Sequence, residues 1–150
     1  FYSPDARAGF FGISPHTTRA ELQRAVFEGL AFAIVDALQG YPQGGELYLT
    51  GGGAASATWL QIIADCTGRT VVSSAFNELS ARGAAILAAR SVAALAETPP
   101  LAQTRYQPRP QAHARYAALY PVYRLLREQM LPVWQARQAA LQPLSQDLQP

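Results

Sequence analysis

Three consecutive glycines, Gly51 to Gly53, stand inside the run ELYLTGGGAASATWLQIIADCTG, Glu46 to Gly68. No other feature constrains the fold as much. The alternating, β-rich ELYLT predicts a strand over Glu46–Thr50. Ser56 or Ala57 opens a predicted helix carrying Trp59, Leu60, Ile63 and Ala64, and Gly68 is placed to end it. Glycines after a strand let the backbone turn sharply and let a ligand approach without meeting a Cβ. The helix that follows offers unpaired N–H groups and the positive end of its dipole, a seat for phosphate. Two readings stand at this point: an ordinary tight turn, or a backbone cradle.

Two familiar phosphate motifs fail. No lysine occurs anywhere, so G-x-x-x-x-G-K-[ST] is absent. Counting from Gly51, Gly53 fits G-x-G-x-x-G but Ser56 takes the last glycine position, which disfavours a Rossmann oxidoreductase.

Around this passage, Phe1 to Pro15 reads as loop with short extended pieces near GFFGI. Thr18 and Glu21 form a capping box for a helix in which Leu22, Val26, Leu30, Ala33, Ile34 and Ala37 recur at helical spacing, until Gly40 and Pro42 stop it. TVVSS predicts a second strand. Ser80 to Ala96 predicts a helix whose small residues permit close approach to a neighbour, ended by Glu97 to Pro100. Leu101 to His113 reads as extended. Tyr116, Leu119, Tyr120, Tyr123, Leu126, Met130 and Val133 share a helical stripe, with Pro121 and Pro132 expected to kink or divide it and the Gln-rich tail from Gln135 expected to be peripheral.

The 150 residues, 49% hydrophobic and 15% charged, suit one globular domain, which buries roughly 70% of its unfolded-chain surface. A net charge of +2, from scattered arginines, is too small to signal nucleic acid or an anionic membrane as the main partner. Cys66 is the sole cysteine, which excludes an intrachain disulfide and a cysteine-based zinc site, and a reducing, cytoplasmic setting is the simplest expectation. No apolar stretch reaches the roughly 18 residues of a membrane span. The missing initiator methionine suggests a piece of a longer protein.

Other constellations are thin. His16 and His113 have no cysteine or carboxylate at metal spacing and read as loop or capping residues; Cys66 reads as core. No G-x-S-x-G elbow anchors a hydrolase. Arg24 and Glu28 read as a surface pair, and the tyrosine stripe as core packing.

Four blocks together resemble the C-terminal domain of the FGGY family of carbohydrate kinases. AGFFGISPHTTRAELQRAVFE, Ala8 to Glu28, is similar to the family's second signature, at Ala8, Phe10, Gly12, Ile13 and Glu21 and then Leu22, Ala25, Val26, Phe27 and Glu28. GGGAASATWLQIIADCTGRTVV resembles its adenosine segment. ELSARGAAILAA resembles an acidic residue followed by an alanine- and glycine-rich helix, and YQPRPQAHARYAALYPVYRLL the usual Pro-linked, Tyr-rich ending. The serine-tryptophan spacing looks like the xylulokinase and ribulokinase branch.

The resemblance implies an α/β fold, ribonuclease H-like (actin-like ATPase), with a C-terminal helical extension. Residues 1–100 would form the α/β core and 101–150 the extended link and C-terminal helices. It implies ATP with Mg²⁺ as cofactors, in a cleft against an N-terminal sugar-binding domain absent from this chain. Gly52 and Gly53 match glycines whose backbone approaches the nucleotide; Ala54 and Ser56 fall in the same turn. Ala57 matches an asparagine of glycerol kinases and lacks its side-chain hydrogen bond. Trp59 and Gln61 lie on the same helix, and Trp59 suits packing equally well. The catalytic aspartate lies upstream in the family, so the implied phosphorylation of a ketose or polyol such as xylulose is expected of the longer protein and not of this piece. Self-association into a homodimer through an exposed apolar face is a further expectation, and a non-catalytic actin-like interaction domain is the alternative.

Overall fold

The computed structural model describes residues 3–42, 44–74, 78–92 and 101–146, with side chains to 141. Helix α1 (Arg19–Ala37) starts at the expected capping box: the Thr18 side chain accepts from Glu21 N–H at 3.2 Å, and Glu21 accepts from Thr18 N–H at 2.7 Å. Strand β1 (Leu47–Leu49) is shorter than the expected Glu46–Thr50. A single 3₁₀ turn, Gly52–Ala55, then leads to α2 (Ala57–Thr67), β2 (Val71–Ser74), α3 (Leu79–Val92), β3 (Gln103–Tyr106) and α4 (Pro110–Gln146).

The strands form one sheet in the order β1-β2-β3. β1 runs parallel to β2 with Tyr48 opposite Val72, and β3 runs antiparallel to β2 with Arg105 opposite Val72. On that face Arg105 pairs with Glu46 at 2.9 Å, and Tyr48 donates to the same carboxylate. Helix α2 packs on the sheet, with α1 and α4 packed against α2 in turn.

Buried Leu60, Ile62, Ile63 and Ala64 of α2 join Val71 of β2, Ala31 and Phe32 of α1, and Tyr116 of α4 in the core. Each large apolar side chain fully buried there contributes roughly 1.5–3 kcal/mol. Cys66 belongs to this core, as expected, and burial pushes its thiol up to about 12. Phe32 receives Tyr116, Tyr120 and Tyr123 with ring centroids 5.9, 6.0 and 5.2 Å away, so the tyrosine stripe is core packing.

Residues 3–15 form neither helix nor strand, as the loop reading expects. Other expectations are corrected. The link expected as extended to His113 is a strand at 103–106 and turns helical at Pro110, because Asp65 of α2 holds the Arg109 N–H at 2.8 Å and fixes where α4 begins. α4 then runs through Pro121 and Pro132 without division, and through the tail to Gln146. Each proline removes one i→i−4 bond, and the α1 contacts at Tyr120 and Tyr123 hold the two sides of Pro121 in line.

On α1 the expected stripe is only partly inward. Val26 and Leu30 stay exposed while Ala31 and Phe32 go inside, since the helix is apolar on more than one face. Helix α3 has no buried residue, and a Cβ at Gly83 would meet nothing within 4 Å, so the close approach its small residues permit is not realised among the described residues. Its expected end, Glu97 to Pro100, lies outside those residues. No described helix is long and apolar enough to cross a membrane.

Candidate functional site

The passage from β1 to α2 is built by four local devices. Gly51, at φ +84 and ψ −171, adopts backbone that is essentially restricted to glycine and turns the chain out of the sheet. Ala54 N–H then donates to Gly51 C=O at 3.0 Å, closing the 3₁₀ turn. Ser56 caps α2, its hydroxyl accepting from Trp59 N–H at 3.3 Å. At the far end Gly68, at φ +66, closes the helix with its N–H on Ala64 C=O, as expected.

Gly52, Gly53 and Ala54 therefore occupy the turn, Ser56 the cap, and Ala57 the first position of α2. All five lie in one continuous stretch at the helix N-terminus; Ala54 is half-buried and the other four are exposed. Neither Gly52 nor Gly53 has a positive φ. A Cβ on Gly52 would meet nothing within 4 Å, and one on Gly53 would touch only the Trp59 indole, at 3.6 Å. The fold itself does not demand glycine at either position. Trp59 meanwhile packs against Phe27 of α1, ring centroids 5.5 Å apart, which gives it a structural role at the edge of the turn.

Two networks on the far side of α2 are not evident from local sequence. Asp65, fully buried, accepts from Gln61 and from the backbone and guanidinium of Arg109. Burial raises its pKa, but the Arg109 bonds outweigh burial and hold the carboxyl below its ordinary value. The helical spacing of Gln61 and Asp65 was the only local hint of this. His113, expected in a loop or cap, lies in the first turns of α4 with Nδ1 2.9 Å from the Asp65 carbonyl.

The Arg24–Glu28 pair on α1, expected at the surface, is tied to α4. Arg24 donates to the Tyr116 hydroxyl at 2.8 Å, and that hydroxyl donates to Glu28 at 2.7 Å. Burial and the Glu28 bond push the Tyr116 phenol up to about 12. Among the described residues no group of three or more His, Cys, Asp or Glu side chains is placed to hold a metal ion.

Together these features define a mixed α/β domain in which a strand passes through exposed glycines into the open N-terminus of a capped helix. Residues 1–92 match the model of the FGGY family of carbohydrate kinases, C-terminal domain, and the chain belongs to that family. It is 33% identical over 125 residues to a probable L-xylulose kinase of Pasteurella multocida, covering 80% of this chain and 26% of that protein. It is 34% identical over 144 residues to the erythritol kinase of Brucella abortus, covering 89% and 28%. The crystal structure of xylulose kinase from Rhodospirillum rubrum superposes with a TM-score of 0.75 at 29% identity, covering 88% of this chain and 29% of that one. The chain thus spans about a quarter of the length of these relatives.

Proposed function

We propose that this chain is the ATP-binding half of a two-domain sugar kinase, with a ribonuclease H-like core that takes in β3 and a C-terminal helical extension. The intact protein transfers the γ-phosphoryl of ATP to a hydroxyl of a ketose or polyol such as xylulose. The observation that carries the reading is the pair Gly52–Gly53: exposed, unstrained and with room for a side chain, they gain from being glycine only if something outside the fold comes close. The adjoining first turn of α2 has N–H groups without intrahelical acceptors, which suits a phosphate. Ala54, Ser56 and Ala57 complete that wall, with Ala57 offering backbone or apolar contact only.

The residues present fit a nucleotide and do not by themselves hold Mg²⁺, since no described carboxylate cluster is placed for it. The ion would arrive with the phosphates and be held by groups of the N-terminal half, which also brings the base for the sugar hydroxyl and the sugar pocket. The transfer breaks the bond between the γ-phosphorus and the β–γ bridging oxygen, forms one to the sugar oxygen, and passes the hydroxyl proton to that base. Domain closure would exclude water from the step. The relatives' names include xylulose and erythritol, a ketose and a polyol, which supports the acceptor class.

Titration of the full-length protein with a non-hydrolysable ATP analogue tests the reading. Binding weakened about tenfold or more by Gly53→Val is expected. No binding, or an affinity untouched by that change, overturns the glycine assignment. Sugar-dependent ADP formation across a panel of ketoses and polyols tests the acceptor, and nucleotide binding without any turnover would point to a non-catalytic module.

A further inference from the structure

A cavity lies away from the glycine turn, between the middle of α1 and the start of α4. It encloses about 510 Å³ and is lined by Arg24, Glu28, Arg109, Ala112, Arg115 and Tyr116, among others. That volume falls in the range of small-molecule sites, but the wall is charged where most are apolar. Two of its arginines are held in place from behind. Arg24 is fixed by Glu28 and Tyr116, and Arg109 by buried Asp65. A guanidinium carries five N–H donors; each of these two spends two on its internal partners. The side chain of Arg115, one turn into α4, has no hydrogen bond or ion pair with any described residue.

We propose that this cavity binds a small phosphate-bearing anion, at a site separate from the glycine turn. Three guanidinium groups face two carboxylates, and one of those, Asp65, is sealed behind Arg109, so the lining carries an uncompensated positive charge at Arg115. Guanidinium groups held in advance lose little freedom on taking a phosphate, and their paired N–H groups match its oxygens. Asp65 lies nine residues beyond the Ser56 cap on α2, about 13 Å along the helix axis at 1.5 Å per residue. One phosphate cannot span both places.

Calorimetric titration of the protein with inorganic phosphate, at ionic strength held constant with chloride, tests the site; glycerol 3-phosphate in a second arm distinguishes free phosphate from a phosphomonoester. Arg115 is exposed on a helix, so Arg115→Ala should fold normally, and an unchanged thermal midpoint would verify that. Saturable binding is expected, weakened about tenfold by Arg115→Ala, abolished by Arg115→Glu and unaffected by Gly52→Ala. No saturable binding of either anion overturns the proposal, and would leave the arginines as a contact for an acidic protein segment. Equal affinity in the Arg115 variants also overturns it, as does binding lost in Gly52→Ala, which would put the phosphate in the glycine turn.

Discussion

Arg109 and Asp65 lie 44 residues apart in sequence and are joined by three hydrogen bonds. The Arg109 backbone N–H donates to Oδ1 at 2.8 Å, and Nε and Nη2 donate to Oδ2 at 3.0 and 2.5 Å. Asp65 has no exposed surface, while the Arg109 side chain is 60% exposed. The carboxylate thereby caps the start of α4 from inside the core and locks that helix to α2. A buried charge so placed is tolerated because every strong donor it needs is supplied by one residue and Gln61.

Removing the guanidinium should therefore cost more than its exposure suggests. In Arg109→Ala the backbone bond and Gln61 remain, but Asp65 loses its one charged partner among the described residues. Urea unfolding at neutral pH should show a loss of about 2–3 kcal/mol. Asp65→Asn in the same background should recover part of it, since the amide carries no charge to compensate. Additive losses in the two single variants and the double would refute the coupling.

The pH dependence follows from the same pair. Asp65 is held below its ordinary value by Arg109, and Asp36 by the Tyr120 hydroxyl and Arg127. A carboxyl depressed in the folded state contributes stability that is present above its unfolded value, near pH 4, and lost as pH falls through the folded value. Unfolding free energy should accordingly decline below about pH 4. In Arg109→Ala, burial acts on Asp65 against only the Gln61 and backbone bonds, so its pKa lies higher than in the parent and protonation relieves the buried charge. The stability gap between the two proteins should narrow from pH 7 to pH 3; a constant gap would show that Asp65 is not the group responsible.

These contacts explain which parts of the molecule can be read from sequence. The Thr18–Glu21 box, the Ser56 cap and the Gly68 stop are each set within three or four residues, and each stands where local rules place it. The start of α4 does not: Gln107, Pro108, Arg109 and Pro110 look extended, and only Asp65, far upstream, turns Arg109 into a helix boundary. Pro121 reads as a break, but α1 supplies Phe32 as a brace on both sides of it. The shape of the glycine turn was legible because the residues that build it, Gly51 and Ser56, lie in one stretch. The Arg24–Glu28–Tyr116 link was not, because its members are 92 and 88 residues apart.

Gly68 serves two purposes that substitution can separate. Its φ of +66 is costly for any side chain, and a Cβ there would sit 2.5 Å from His113 Cε1. Gly68→Ala should lose about 1–2 kcal/mol to backbone conformation and a further increment to the displaced imidazole. Adding His113→Ala should return only that increment, apart from the loss of the Nδ1 bond to Asp65 C=O. Thermal unfolding of the two single variants and the double measures the split. Full recovery in the double variant would mean that the backbone at Gly68 carries no strain.

The three glycines of the turn should divide in the same manner, one serving the fold and the others the nucleotide. Gly51 holds φ +84 and ψ −171, so Gly51→Ala strains the chain and should lower stability by about 1–3 kcal/mol. Gly52 lies outside the positive-φ region with open space around its Cα, so Gly52→Ala should leave the unfolding midpoint within about 0.5 kcal/mol of the parent. Its cost should appear on nucleotide addition: the parent gains stability from a bound ATP analogue, and Gly52→Ala gains less at the same concentration. Gly51→Ala, under conditions where it is still folded, should keep more of that gain than Gly52→Ala. The reverse order would mean that the exposed glycines answer to the fold and that the nucleotide lies elsewhere.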